Sequence, residues 1–113
     1  MLKIYHNPRC SKSRETLKLL EAQGVKPEIV EYLKTPPSAE ELKTIVRKLG
    51  VKPEALIRKK ETIFKEKYAG KNMSDDQWIQ AIVKDPVLLE RPIVVTGKKA
   101  AVGRPPANVL KIL

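Results

Sequence analysis

The first 31 residues change their hydrophobic period twice, and that change restricts the chain to folds containing a strand–helix–strand unit. Leu2 to Tyr5 alternates apolar and polar side chains over a short run, the period of a strand with two unlike faces. His6-Asn7-Pro8-Arg9-Cys10 predicts a loop, because Pro8 interrupts any regular element. From Ser11 the period becomes helical, with Leu17, Leu19 and Leu20 as the apolar face and Gly24 as the C-terminal stop. Glu28 to Glu31, around Ile29 and Val30, predicts a second strand. The result is a βαβ unit whose first loop carries the only cysteine of the chain.

Thr35-Pro36-Pro37 is a hard break, after which Ser38 and Glu41 form a capping box and open a helix. Leu42, Ile45, Val46 and Leu49 follow at helical spacing, and Gly50 closes the element. Pro53 predicts a short helical turn through Ile57, and parts of the charged stretch 59–72 are expected to be helical. Ser74 and Gln77 form a second capping box before a helix with Trp78, Ile79, Ile82 and Val83 on one face, ended by Pro86. Ile93-Val94-Val95-Thr96 is the strongest strand signal; Gly97-Lys98-Lys99 turns, and Ala100-Ala101-Val102 pairs back as a hairpin. Pro105 or Pro106 starts a last helical segment with Val109, Leu110 and Leu113 as its buried stripe. The order β-α-β, helices, β-β-α implies an α/β fold with one mixed sheet and a helical insertion, without repeats or linkers.

A length of 113 residues fits one domain, residues 1–113, and 42% hydrophobic residues with only 4% aromatics provide a largely aliphatic core. No stretch approaches the roughly 20 apolar residues that span a bilayer. The N-terminus turns polar too soon for a secretory signal, so a soluble cytoplasmic protein with no membrane partner is expected. A single cysteine excludes an intramolecular disulfide. With one histidine beside it, a structural zinc site of about four ligands is not expected either.

The net charge of +10 is concentrated at the two ends of the chain. All 13 acidic residues lie between Glu15 and Glu90, where 14 basic residues nearly balance them. Residues 1–14 carry Lys3, Arg9, Lys12 and Arg14 and no acid; residues 91–113 carry Arg91, Lys98, Lys99, Arg104 and Lys111 and no acid. Ends that meet in the fold would form one electropositive region suited to a small anion. Simple solubility and a nucleic-acid surface are the competing readings. The second is disfavoured, since only four aromatics accompany Trp78 and none interleaves with a basic run.

A lone cysteine is by default a small buried hydrophobe. Cys10 has a different setting: a strand-to-helix loop just before a helix N-terminus, where free amides and the helix dipole favour negative charge. Arg9, Lys12, Arg14 and His6 are close in sequence and would favour the thiolate, the reactive form. The same amides would hold an oxyanion. A C-x-x-C dithiol site needs a sulfur where Ser13 stands, so an external thiol would have to complete any turnover. A C-x5-R phosphatase loop needs an arginine where Thr16 stands.

His6-Asn7-Pro8-Arg9-Cys10-Ser11-Lys12-Ser13-Arg14 resembles the H-N-P-x-C-x-x-S-R signature of the glutaredoxin-coupled arsenate reductase family. The resemblance continues through Tyr32-Leu33-Lys34-Thr35-Pro36-Pro37, Ala55-Leu56-Ile57-Arg58-Lys59, Glu90-Arg91-Pro92-Ile93-Val94-Val95 and Gly103-Arg104-Pro105, nearly the whole chain. Ending at Leu113 without the tail of some plasmid-borne members, the sequence is most similar to the shorter chromosomal ones. The resemblance implies a thioredoxin-like mixed sheet with the helical insertion between its halves, and a cis Arg91–Pro92 bond. It implies Cys10 as nucleophile, with His6 depressing its pKa, and Arg58, Arg91 and Arg104 as oxyanion ligands. Asn7, Ser13 and Arg14 would shape the loop. These three arginines are half of the six in a chain with 17 lysines, and a planar guanidinium grips a tetrahedral oxyanion better than an ammonium does.

The activity so implied is reduction of arsenate to arsenite, with glutathione as co-substrate, glutaredoxin as partner and no bound cofactor. One alternative keeps the thiol but changes the substrate: a glutathione-dependent thiol reductase without arsenate activity. Another is a non-enzymatic regulator similar to the Spx branch of this fold, which binds RNA polymerase; Ser13 stands where that branch usually carries its second cysteine.

Overall fold

Strand β1 (Lys3–His6), helix α1 (Ser11–Ala22) and strand β2 (Glu28–Glu31) realise the expected βαβ unit in the computed structural model, which describes residues 2–113. Gly24, with φ +77°, follows α1 in the left-handed region that a residue with a Cβ adopts only under strain, and its amide donates to Glu21 O. Strands β3 (Ile93–Val95) and β4 (Ala100–Val102) complete a four-stranded sheet in the order β2-β1-β3-β4. The β1–β2 pair is parallel and the other two are antiparallel, so the sheet is mixed as expected.

Register decides what the sheet buries. Ile29, Ile4, Val94 and Ala101 stand side by side across the four strands. Ile4 and Val94, on the two inner strands, are fully buried together with Leu20 of α1 and Val109, whereas Ile29 on the edge strand is 49% exposed. Leu2, Leu17, Val25 and Ile112 pack around this cluster. Each fully buried aliphatic side chain contributes roughly 1.5–3 kcal/mol.

Three boundaries differ from the sequence expectation. Strand β1 spans Lys3–His6 rather than Leu2–Tyr5 and so takes in a residue expected in the loop. Strand β3 ends at Val95, because Thr96 turns its hydroxyl into the hairpin and accepts the Lys99 amide at 3.0 Å. The last segment, Pro106–Ile112, is a 3₁₀ helix with three residues per turn, so Val109 shares its inner face with Ile112 rather than with Leu110 and Leu113. Leu110 and Leu113 are accordingly exposed, by 40% and 51%.

Chain contacts define two compact units: residues up to Thr35 with Arg91–Leu113, and Pro36–Glu90. The second is helical: α2 (Ala39–Leu49), α3 (Thr62–Lys67) and α4 (Asp75–Lys84), with 3₁₀ turns at Pro53–Leu56 and Pro86–Leu88. Both predicted capping boxes are present. Ser38 Oγ accepts from Glu41 N–H at 3.1 Å and Ser74 Oγ from Gln77 N–H at 3.2 Å, each returned from the third helical residue. Leu42, Ile45, Trp78, Ile79 and Ile82 are buried, while Val46, Leu49 and Val83 are half-buried. Among the described residues, no helix is long and apolar enough to cross a membrane.

Candidate active site

The C-terminal end of β1 runs directly into the cysteine turn. Asn7 Oδ1 accepts the Arg9 amide at 3.0 Å and Asn7 O accepts the Cys10 amide at 3.0 Å, so one asparagine folds the loop back upon itself. Cys10 is the N-cap of α1, in extended conformation (φ −97°, ψ 123°), and its carbonyl accepts the first helical bond from Arg14. Arg14 in turn donates Nη1 to Pro8 O at 3.0 Å. Ser13, fully buried, accepts the Asn7 amide on Oγ at 3.0 Å and shares a second hydrogen bond with His6 Nδ1 at 2.6 Å. Asn7, Ser13 and Arg14 therefore brace the loop at three points.

The second half of the site comes from 80 to 94 residues further on. Arg104 donates Nε to Arg91 O at 2.8 Å and directs Nη2 to Cys10 Sγ at 3.5 Å. Arg91 interacts electrostatically with the same sulfur and with the fully buried Tyr32. Both Arg91–Pro92 and Arg104–Pro105 are cis, the first as the resemblance implied. Gly103 explains how these two segments come so close to α1. Its amide donates to Pro92 O at 2.9 Å, and a Cβ there would meet Thr16 Oγ1 at 2.5 Å and the Pro92 ring at 2.7 Å. Asn108 Nδ2 bonds the carbonyls of Arg104 and Val102, tying the final 3₁₀ helix to the same corner.

Burial of the Cys10 sulfur is the largest single influence on its acidity and opposes ionisation. The Ser13 amide, the hydrogen bond and charge of Arg91 and the Lys12 amide together outweigh it, and the thiol lies below its ordinary pKa. For Arg91 burial likewise opposes the charge, but Cys10 and Tyr32 reverse its effect and hold the guanidinium protonated. His6 requires a correction. Burial, first, and Arg14 lower its pKa against the pull of Glu31, so near pH 7 it is neutral and braces Ser13 instead of supplying positive charge to the thiol.

Of the three expected oxyanion ligands, Arg91 and Arg104 meet at Cys10. Arg58 belongs to the helical unit, where an antiparallel bridge between Ile57 and Leu89 aligns it with Glu90. It donates Nη1 to Glu90 at 2.8 Å and Nε to Glu61 at 3.2 Å. Thr16, Tyr32 and Asn108 were not foreseen. Thr16 sits mid-helix with its hydroxyl on the Lys12 carbonyl and carries no local signal, whereas Tyr32 and Gly103 stand inside motifs already noted. Among the described residues no group of three or more His, Cys, Asp or Glu side chains offers a metal-ligand set.

A cysteine N-capping the first helix of a mixed βαβ-ββ sheet, with guanidinium groups at its sulfur, defines a thioredoxin-like protein that presents an activated thiol. Comparison with known proteins narrows the class. The ArsC family model matches residues 5–112. The chain is 48% identical to a protein named arsenate reductase from Neisseria meningitidis serogroup A, over 99% of this chain and 97% of that one. It is 52% identical to the uncharacterized protein YfgD of Escherichia coli K12, over 99% and 96%. The solved structure of an arsenate reductase from Vibrio cholerae superposes with a TM-score of 0.95 at 51% identity, covering 99% of this chain and 97% of that one. The chain belongs to the ArsC family.

Proposed function

We propose that the chain reduces arsenate to arsenite, with Cys10 as nucleophile, Arg91 and Arg104 as oxyanion ligands, glutathione as co-substrate and glutaredoxin as resolving partner. The observation that carries this reading is the placement of two guanidinium groups on one ionisable sulfur. A thiolate and an arsenate oxyanion repel each other. Two cations at the point of attack cancel that repulsion and stabilise the charge that grows on the departing oxygen. A neutral disulfide would have little need of them.

The Cys10 thiolate attacks arsenic, forms a sulfur–arsenic bond and expels one oxygen, which leaves as water after protonation. Glutathione condenses on the same arsenic with loss of a second water. A thiol of glutaredoxin then attacks the glutathione sulfur. The arsenic–sulfur bond breaks with its electron pair left on arsenic, which falls from As(V) to As(III), and the two donor sulfurs leave as a mixed disulfide. Hydrolysis of the remaining Cys10–arsenic bond releases arsenite and restores the thiolate. No bound cofactor enters these steps, and both thiol donors belong to the reducing cytoplasm, where the reading places the chain.

His6, Asn7, Ser13 and Arg14 act in this reading by fixing the turn that presents the sulfur. Arg58, the third arginine implied by the family, must share or release the carboxylates of Glu61 and Glu90 to take an anion. Purified chain with arsenate, glutathione and glutaredoxin is expected to yield arsenite, and Cys10→Ser to yield none. Arg91→Ala and Arg104→Ala should each lower kcat/KM for arsenate about 10²- to 10³-fold. Absence of turnover, or a Cys10→Ser variant as active as the parent, overturns the proposal. Reduction of glutathione mixed disulfides without arsenate reduction would favour the thiol-reductase alternative.

A further inference from the structure

Beside the cysteine turn lies a cavity of about 210 Å³ lined by His6, Asn7, Arg9, Glu31, Leu33 and Lys34, and the steps above make no use of it. Its walls are held by the backbone. His6 and Glu31 are direct partners across the parallel β1–β2 pair. The Glu31 carbonyl accepts the amides of Lys34 and Thr35, both at 2.9 Å, which turns the chain after β2 back over the strand end. Strand ends and tight turns thus fix the backbone that carries the lining side chains.

The polar groups in it form a restricted set. Glu31 supplies a carboxylate, with Lys34 Nζ at 3.5 Å. Arg9 and Lys34 supply two cations. Asn7 has committed Oδ1 to the Arg9 amide, which leaves Nδ2 as a donor; His6 has committed Nδ1 to Ser13, which leaves Nε2. Leu33, 45% exposed, adds an aliphatic wall. One carboxylate between two cations and amide donors complements an α-amino acid head: its ammonium on Glu31, its carboxylate on Arg9, Lys34 and Asn7. With a neutral imidazole the lining carries one net positive charge, opposite to the net negative charge of glutathione.

We infer that this cavity binds the γ-glutamyl head of glutathione and so positions the co-substrate thiol for the Cys10 adduct; the inference rests on the proposed glutathione-dependent reaction. Reach supports it. The Asn7–Cys10 turn joins the cavity wall to the cysteine within about 7 Å. A γ-glutamyl-cysteine unit separates its head group from its sulfur by about 8 Å when extended.

The test is titration of the isotopically labelled chain with S-methylglutathione, an analogue that binds but cannot react. Backbone resonances of Asn7, Arg9, Glu31 and Lys34 are expected to shift together. Cysteinylglycine methylated on sulfur, which lacks the γ-glutamyl head, should bind at least tenfold more weakly. Glu31→Gln should raise the Kd for S-methylglutathione about tenfold, with its folded state verified by circular dichroism. Equal affinity for the two ligands, or shifts confined to residues outside the cavity, overturns the inference. If S-methylglutathione shifts these residues and arsenate is not turned over, the proposed reaction falls and the cavity assignment stands. If arsenate is reduced with glutathione while the cavity stays silent, the reverse holds.

Discussion

At the scale of single residues, Cys10 is governed by opposing influences. Burial drives it towards the neutral thiol, while the Ser13 and Lys12 amides and Arg91 drive it towards the thiolate, and the second group prevails. An acid whose pKa is lowered in the folded state keeps its ionised form down to that lowered value. Alkylation of Cys10 should therefore stay fast below the free-thiol value of about 8.5 and fall away only as pH drops through the depressed pKa. Removing the guanidinium in Arg91→Ala should move the midpoint of that profile upward, and a midpoint unmoved would mean that the amides alone ionise the sulfur. Gly103 is the residue on which the approach of the two arginines depends. Gly103→Ala drives a methyl group into Thr16 and Pro92 and should destabilise the chain by about 1–3 kcal/mol in urea unfolding, with loss of arsenate turnover in the folded fraction.

At the scale of elements, helix starts were the most legible features. Both capping boxes are local arrangements of four consecutive residues, so Ser38-x-x-Glu41 and Ser74-x-x-Gln77 predicted the starts of α2 and α4 without knowledge of anything distant. Ser74→Ala should cost about 1 kcal/mol, with Ser38→Ala similar. Strand β2 and hairpin strand β4 matched their predicted bounds because flanking turns delimit them. The final segment did not match. Choosing between 3.0 and 3.6 residues per turn depends on what the face must meet, and here it meets Ile4, Leu20 and Val94. In the helical unit, Tyr68 donates to Asp85 Oδ2 at 2.6 Å, and burial first and then Asp85 push its pKa up to about 12. This raised pKa contributes stability that is complete below the unfolded value of about 10 and is lost as pH rises through about 12. Tyr68→Phe should flatten the alkaline limb of a stability–pH curve, and ultraviolet titration of that variant should lose a late-ionising phenol.

At the scale of the whole molecule, charge follows the division into two units. The sheet unit carries twelve basic and four acidic residues; the helical unit carries eleven and nine. Nearly all the excess positive charge thus belongs to the unit that contains Cys10, which draws small anions towards it. Arsenate kcat/KM should fall as ionic strength rises and the screening length contracts from about 10 Å at 0.1 M to about 3 Å at 1 M. Alkylation by neutral iodoacetamide should change far less. A salt-independent arsenate rate would assign the charge to solubility alone.

What the sequence determined by itself is everything that depends on near neighbours. The βαβ order, the capped helices, the turn glycines and a cysteine at the mouth of a helix are all set within a few residues of chain, where propensity and periodicity act. What only the tertiary structure decided is convergence. That Arg91 and Arg104 meet at a sulfur more than 80 residues away, that Thr16 and Gly103 must be small enough to touch, and that His6 is a neutral brace depend on burial and register between distant segments. Local sequence holds no record of those distances, because they arise only when Ile4, Leu20, Val94 and Val109 close into one core.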